Sequence, residues 1–392
     1  MISLHEAEAI VLAQAWGLPV ETVPLGDALG RVLAQDAVSD LDMPPWDKAA
    51  VDGYACRLAE AAEDLRVVEV VAAGAMPTHA LGPGECAKVM TGAPLPAGAD
   101  GVIMVEHTRE AGPGHIAHTG QPLRPNRCLQ GEDLRTGDVV LRAGTRLLAQ
   151  HLAVLATVGV VVPQVGCLPR VGVFATGSEL VPPGTTPKGA QIRNSNGPQL
   201  VAQLRALGIS ATDYGIFPDD APALRSAMQR ALAENDVVLS TGGVSMGDYD
   251  LVPDLVAGLG LAIHLRKVAI QPGKPILFAT GSAKAYFGLS GNPLSSLVQF
   301  ELFVKPMLLA LQGAAHAPLA VSMPLGEPFT RKQSDRMAFV PVRLAEGRVW
   351  RVPYHGSAHI GALVEADGLV AFPTGVDTLN MGHPVAVRLV RG

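Results

Sequence analysis

Four short stretches concentrate the residue types that hold an anionic ligand: Thr176-Gly-Ser-Glu179, Ser240-Thr-Gly-Gly-Val-Ser245, Gln271-Pro-Gly-Lys-Pro275 and Ser290-Gly-Asn-Pro293. Glycine lets backbone N–H groups approach an anion closely, and a helix starting just after such a turn adds the positive end of its dipole. Hydroxyls supply further donors, and Lys274 carries a charge that would neutralise phosphate. The ligand-contacting candidates are therefore Thr176, Gly177 and Ser178; Ser240, Gly242, Gly243 and Ser245; Pro272, Gly273 and Lys274; and Ser290, Gly291, Asn292 and Pro293. Carboxylates recur beside them at Glu179, Asp219, Asp248 and Asp250. Two or more carboxylates next to phosphate suit Mg²⁺ shared between protein and phosphate oxygens. One of Asp219 and Asp220 can equally be a helix N-cap, and Asp248 and Asp250 can be acids of a first helical turn. A Gly-rich turn after a strand is ordinary, so it is the recurrence of four in one region that points to a ligand. The G-x-x-x-x-G-K-[ST] pattern is absent, which argues against an ordinary P-loop NTPase.

These stretches need elements that bring them to one edge. From Pro169 onward the pattern predicts strands over 170–175, 210–217, 236–240 and 285–289, alternating with helices over 198–207, 222–234 and 251–259 and a long helix ending at Leu311. Such alternation specifies a doubly wound α/β domain, a parallel sheet with helices on both faces. Right-handed crossovers then point the strand C-termini to one edge, where these folds bind ligands. Upstream, Ser3 and Glu6 form a capping box opening a helix through Trp16. Residues 66–123 read as short strands between Gly/Pro turns, and so do the residues past Gly313. The expected organisation is multidomain α/β and β: a mixed α/β linker domain from residues 1–48 and 124–166, an inserted β-rich N-terminal module at 49–123, the central α/β domain at 167–313 and a small C-terminal β domain at 314–392. Asp52 in Val-Asp-Gly-Tyr, Thr91 in Met-Thr-Gly-Ala-Pro and Asp133 in Gly-Glu-Asp lie outside the α/β domain and, taken singly, read as turn residues.

Composition narrows the function classes. A chain of 392 residues exceeds one hydrophobic core. A formal net charge of −6 argues against a general nucleic-acid binder. Cys56, Cys86, Cys128 and Cys167 form no C-x-x-C pair, which disfavours a zinc ribbon and suits buried thiols in a reducing compartment. The histidines lack H-E-x-x-H spacing and read as surface or packing residues. No basic region followed by an apolar run opens the sequence, and the apolar residues 152–165 are too few and too interrupted to span a bilayer. The expectation is a cytoplasmic protein without membrane or nucleic-acid partners.

Seven motifs run in order along essentially the whole chain: Val51-Asp-Gly-Tyr-Ala55, Met90-Thr-Gly-Ala-Pro94, Gly131-Glu-Asp133, Thr176-Gly-Ser-Glu179, Gly242-Gly-Val-Ser-Met-Gly247, Pro272-Gly-Lys-Pro275 and Gly291-Asn-Pro293. Each is weak alone; in this order the chain resembles the molybdopterin molybdenumtransferases, bacterial counterparts of the C-terminal domain of gephyrin. The resemblance implies a transferase that takes adenylylated molybdopterin and molybdate as substrates, inserts the metal into the dithiolene and releases AMP, with Mg²⁺ or a similar divalent ion as cofactor. It implies catalytic roles for Asp52, Thr91, Asp133, Glu179, Asp219, Asp250 and Lys267. It adds Arg336 and Ser357 to the cofactor-binding set and makes Glu179 and Asp250 the metal ligands. Molybdate is a dianion, for which Lys267, Arg336 and Ser357 are suitable partners. The resemblance also implies an elongated homodimer of four-domain protomers, with the segment around Asp52 reaching the partner's cleft, and as protein partners the molybdopterin adenylyltransferase and apo-molybdoenzymes. The sequence departs from the family pattern in places. Gln271 stands where many members carry a second lysine, Asp47-Lys-Ala-Ala-Val replaces Asp-Asn-Ser-Ala-Met, Ser290 replaces a proline, and Asn194-Ser-Asn196 has Asn where Asp is frequent. A molybdopterin-binding or scaffolding relative without turnover is the alternative. A nucleotide-pyrophosphatase type sharing only the α/β module is disfavoured by the motifs outside that module.

Overall fold

The computed structural model describes residues 1–244, 251–315 and 318–390, and the chain divides into two compact units. One comprises Met1–Gln35, Ala143–Ala149 and Val162–Gly392, the other Asp36–Arg142 and Gln150–Val161.

The larger unit is built on a six-stranded sheet in the order Ala211–Phe217, Val171–Thr176, Val237–Thr241, Lys284–Leu289, Pro275–Gly281, Ala262–Lys267. Val171–Thr176 and Val237–Thr241 are buried along their whole length, as central strands covered on both faces must be. Side chains alternate between two cores with the period of two that the pleat imposes. Val171, Val173, Val237, Leu239 and Phe287 face Leu200 and Leu204, the N-terminal helix Leu4–Ala13 and the helix Pro293–Leu311. Phe174, Val238 and Tyr286 face Leu224, Met228, Val252 and Val256 on the opposite side. The domain is thus doubly wound. The Ser3–Glu6 capping box is present, although the helix ends at Ala13 with Gln14 as its C-cap rather than continuing to Trp16.

The expectation of an all-parallel sheet needs correction. The first four strands in that order are mutually parallel, but Pro275–Gly281 runs antiparallel to Lys284–Leu289, and Ala262–Lys267 antiparallel to Pro275–Gly281. The hairpin closes through Ser282 and Ala283, at φ of +46° and +57°. Two consecutive left-handed residues are the signature of a tight hairpin turn, ordinarily advertised by Asn-Gly or Asp-Gly. Ser-Ala carries no such signal, so the hairpin was hidden. Its direction has a consequence for the site. Because Leu277 pairs with Gly288 and Gly281 with Lys284, the 271–275 loop enters its strand at the edge where the parallel strands end. It reaches the common edge from the opposite direction to the other loops.

The C-terminal sheet has the order Ile270–Gln271, Met337–Ala345, Gly368–Phe372, Pro384–Leu389, Ala320–Pro324, with Arg348–Arg351 pairing beside Met337–Ala345. Its core holds Phe329, Val340, Val342, Val370, Phe372 and Val387. Ile270 pairs with Met337, so the 271–275 loop begins inside this second sheet. Pro293–Leu311 is the one helix among the described residues long and apolar enough to cross a membrane, and it is 83% buried against its own protein. A π turn, Phe300–Val304, interrupts it.

The smaller unit carries a six-stranded sheet, ordered Gly101–Met104, Gly53–Cys56, Glu85–Val89, Leu65–Val71, His115–His118, Thr108–Glu110. Gly53 in Val-Asp-Gly-Tyr is a packing requirement, because a Cβ there would lie 2.0 Å from the carbonyl oxygen of Ile103 on the neighbouring strand.

Candidate functional site

Val171–Thr176 delivers the first loop, and Asp219 holds it. The Thr176 hydroxyl donates to one carboxylate oxygen of Asp219 at 2.8 Å and the Ser178 N–H donates to the other at 3.1 Å. The Asp219 N–H donates back to the Ser178 hydroxyl at 3.2 Å. The two adjacent acids divide the tasks. Asp220 is the N-cap of Ala221–Glu234, accepting from Ala223 N–H, while Asp219 secures the 176–178 turn.

Val237–Thr241 delivers the second loop. Gly242 and Gly243 have φ of +95° and +65°, and a Cβ on Gly242 would sit 2.3 Å from the Thr176 carbonyl oxygen. Glycine is what lets the two turns touch. Lys284–Leu289 delivers the third, 290–293. Asn196 donates to the Gly291 carbonyl at 2.8 Å, the Asn292 side-chain amide donates to the Ser357 hydroxyl at 2.9 Å, and Leu294 N–H donates to the Ser357 carbonyl at 3.2 Å. Ser357 therefore ties the C-terminal part of the chain to the third loop. Between these loops lies a cavity of ≈ 460 Å³ whose walls include Thr176, Glu179, Asn194, Asn196, Gly242 and Asn292.

The expected residues do not all gather there. Ser240 is fully buried and accepts from the Tyr286 hydroxyl at 2.7 Å, on the face it shares with Val238. Strand alternation turns it into the core, where burial pushes the Tyr286 phenol pKa up against the effect of that bond. Lys267 lines a different recess, with Met1, His264 and Arg266. Arg336 lies 3.4 Å from Asp335, and its carbonyl accepts from Arg331. Lys274 is exposed on the 271–275 loop, between buried Gly273 and half-buried Pro275. Ser245, Asp248 and Asp250 lie outside the described residues. Among the described residues no three His, Cys, Asp or Glu side chains converge as a metal site. His355 and His359 stand at H-x-x-x-H spacing but pack edge to face, with His359 Nδ1 accepting from His355 N–H at 3.2 Å. Two residues absent from the expectations matter. Asn196 holds the 290–293 loop, and Gln299 holds the same loop from inside the long helix. For Gln299 the sequence signal is an amide in an otherwise apolar helical face, whose polar atoms need partners in a folded interior; Asn196 stands out in the sequence as a departure from the family pattern.

In the smaller unit Asp52 and Thr91 meet. One Asp52 oxygen accepts from Thr91 N–H at 2.6 Å and from the Thr91 hydroxyl at 2.7 Å. The backbone bond first, then the hydroxyl bond, hold the Asp52 carboxyl below the usual aspartate range. A lowered folded-state pKa means the carboxylate's stabilising contribution is present above the unfolded value and lost as pH falls through the folded one. Thr91→Val, which removes the hydroxyl and keeps the N–H, is expected to raise the Asp52 titration only part of the way to the ordinary value. An NMR pH titration of the Asp52 carboxyl carbon checks this, and an unshifted midpoint would refute it. Asp133 is exposed on a turn in which its N–H donates to the Met43 carbonyl at 3.0 Å.

Comparison with known proteins bears on this arrangement. Three family models match successive parts of the chain: MoeA N-terminal region (domain I and II) over residues 2–159, probable molybdopterin binding domain over 172–310, and MoeA C-terminal region (domain IV) over 323–390. A molybdopterin molybdenumtransferase of Staphylococcus aureus is 33% identical over 99% of this chain and 95% of its own length. One of Staphylococcus epidermidis is 32% identical over the same shares. A crystal structure of the molybdopterin biosynthesis moeA protein from Pyrococcus horikoshii OT3 superposes with a TM-score of 0.84 at 30% identity, covering 99% of this chain and 100% of that one. A crystal structure of a molybdopterin biosynthesis moea protein from Pyrococcus horikosii gives 0.79 at 33% identity over 100% of both chains. With its described loops gathered at one sheet edge and relatives matching it end to end, the chain belongs to the molybdopterin molybdenumtransferase family and is an enzyme of the transferase class.

Proposed function

We propose that the protein inserts molybdate into adenylylated molybdopterin, releasing AMP and forming molybdenum cofactor with the help of Mg²⁺. The observation that carries this reading is the convergence of the Thr176, Gly242 and Asn292 turns on one cavity at the C-terminal edge of the sheet. Cleaving a phosphoanhydride needs positioning and charge neutralisation more than a covalent nucleophile. The residues present fit that demand. The 176–178 turn is held rigid by Asp219, the 290–293 turn offers the Asn292 amide, and Lys274 brings a cation on the neighbouring loop. Mg²⁺ is held by one or two carboxylates together with substrate phosphates and water. Glu179, on the cavity wall, would be one such ligand and Asp250 the second, where the ion would neutralise charge on the phosphate oxygens. In the same proposal the protein is a cytoplasmic homodimer that receives substrate from a molybdopterin adenylyltransferase and supplies apo-molybdoenzymes.

The test is to mix the protein with adenylylated molybdopterin, molybdate and Mg²⁺ and to measure AMP and active cofactor. AMP release is expected in proportion to cofactor formed, and to fall by about tenfold or more when Mg²⁺ is chelated. Tight binding of the adenylylated substrate with no AMP released would instead make the protein a binding relative without turnover. Sedimentation of the purified chain tests the dimer.

A further inference from the structure

We infer that Gln299 is a positioning residue that sets the distance between the loop bearing Lys274 and the 290–293 loop. This rests on the proposed function insofar as those loops flank the substrate. Gln299 is fully buried and is the last residue of Pro293–Gln299, directly before the π turn Phe300–Val304. Its carbonyl oxygen accepts from Ser290 N–H at 2.8 Å. Its amide nitrogen donates to the Gly273 carbonyl at 2.8 Å and to the Pro275 carbonyl at 2.6 Å. Both amide protons and the oxygen are thereby used, which is the whole directional capacity a glutamine needs to satisfy in a dry interior.

The pattern of partners gives the role. The two accepting carbonyls belong to the residues on either side of Lys274, so one amide group pins the backbone on both flanks of the exposed cation. The third bond goes to the first residue of the neighbouring turn, which Asn196 holds from its other side at Gly291. Gly273, at φ +100°, packs against the same side chain; a Cβ there would meet Gln299 Cγ at 3.1 Å. The two loops belong to adjacent strands of one hairpin, one entering the antiparallel strand Pro275–Gly281 and one leaving the parallel strand Lys284–Leu289. Gln299 joins the chain on both sides of that hairpin at the ligand edge. An apolar residue of the same size would fill the space but leave one N–H and two carbonyls unpaired, and the loops free to separate.

Two variants test this in the full-length protein. Gln299→Leu is expected to raise the KM for adenylylated molybdopterin by about tenfold while kcat changes less, and to speed hydrogen–deuterium exchange at the Ser290 amide by about tenfold or more. Gln299→Glu keeps the acceptor for Ser290, so that amide stays protected. Its ionised form turns a carboxylate toward the two carbonyls, and its protonated form donates to one of them. Its KM is therefore expected to fall toward the wild-type value as pH is lowered from about 8 to about 6, while the wild-type KM does not follow that trend. A folded Gln299→Leu with wild-type KM and unchanged Ser290 exchange overturns the inference, as does a Gln299→Glu whose KM ignores pH. If the wild type itself releases no AMP, the proposed function fails, and Ser290 exchange alone then decides whether Gln299 holds the loops.

Discussion

Asp219→Ala is expected to lower kcat/KM for AMP release by about two orders of magnitude with a fall of only a few degrees in melting temperature, whereas Asp219→Asn retains most of the activity. The first effect follows from the bonds the carboxylate makes. Without it the Thr176 hydroxyl and the Ser178 N–H lose their acceptors, and the 176–178 turn is no longer held against the end of its strand. Thr176 is buried where its strand ends, so its orphaned hydroxyl costs about 1 kcal/mol, a few degrees of melting temperature, and the larger loss is one of placement. The second effect separates placement from charge. Asparagine can accept from Ser178 N–H with its oxygen and donate to the Thr176 hydroxyl with its nitrogen, keeping both contacts without the negative charge. Measuring kcat/KM and melting temperature for the three proteins decides the matter. An Asn variant as damaged as the Ala variant would mean that the charge of Asp219 acts directly on metal or substrate.

Gly242→Ala is expected to be the most damaging single-methyl change at the site, destabilising by about 4 kcal/mol, and to leave little turnover. At φ +95° an alanine is strained in itself, and its Cβ would overlap the Thr176 carbonyl oxygen at 2.3 Å. That carbonyl ends a buried central strand, so relief must come from moving the second turn away from the first. For a unit of this size the cost corresponds to a fall in melting temperature of roughly 10 °C. Gly291→Ala is the internal control. A Cβ there would meet the Gly242 Cα at an ordinary 3.8 Å, so a change within about 1 kcal/mol is expected. Equal melting temperatures for the two variants would show that the close approach of the two turns is unimportant.

Much of the architecture was legible because it is written locally. Val171–Thr176 and Val237–Thr241 are continuous small and apolar runs bounded by turns, and the capping box at Ser3 and Glu6 needs only three residues of context. The antiparallel hairpin was not legible, since Ser282-Ala283 is an unadvertised left-handed turn that the flanking strands impose. Asp219 and Asp220 are chemically identical neighbours. The extended backbone of Asp220, φ −120° and ψ 121°, makes it the cap, and the position of Thr176 makes Asp219 the clamp. Ser240 looked like a loop donor because it adjoins a Gly-rich turn, yet the pleat aims it at Tyr286.

By itself, then, the amino-acid sequence determined the motif set, the alternation of strand and helix and, through the order of the motifs, the family. Those properties depend on backbone preferences and hydrophobic period, which act over a few residues. The tertiary structure alone decided which polar groups meet: Thr176 with Asp219, Asn292 with Ser357, Gln299 with both Gly273 and Ser290. A hydrogen bond is satisfied by distance and direction in space, and no local pattern records which distant carbonyl a buried amide will find once the sheet has brought its loops to one edge.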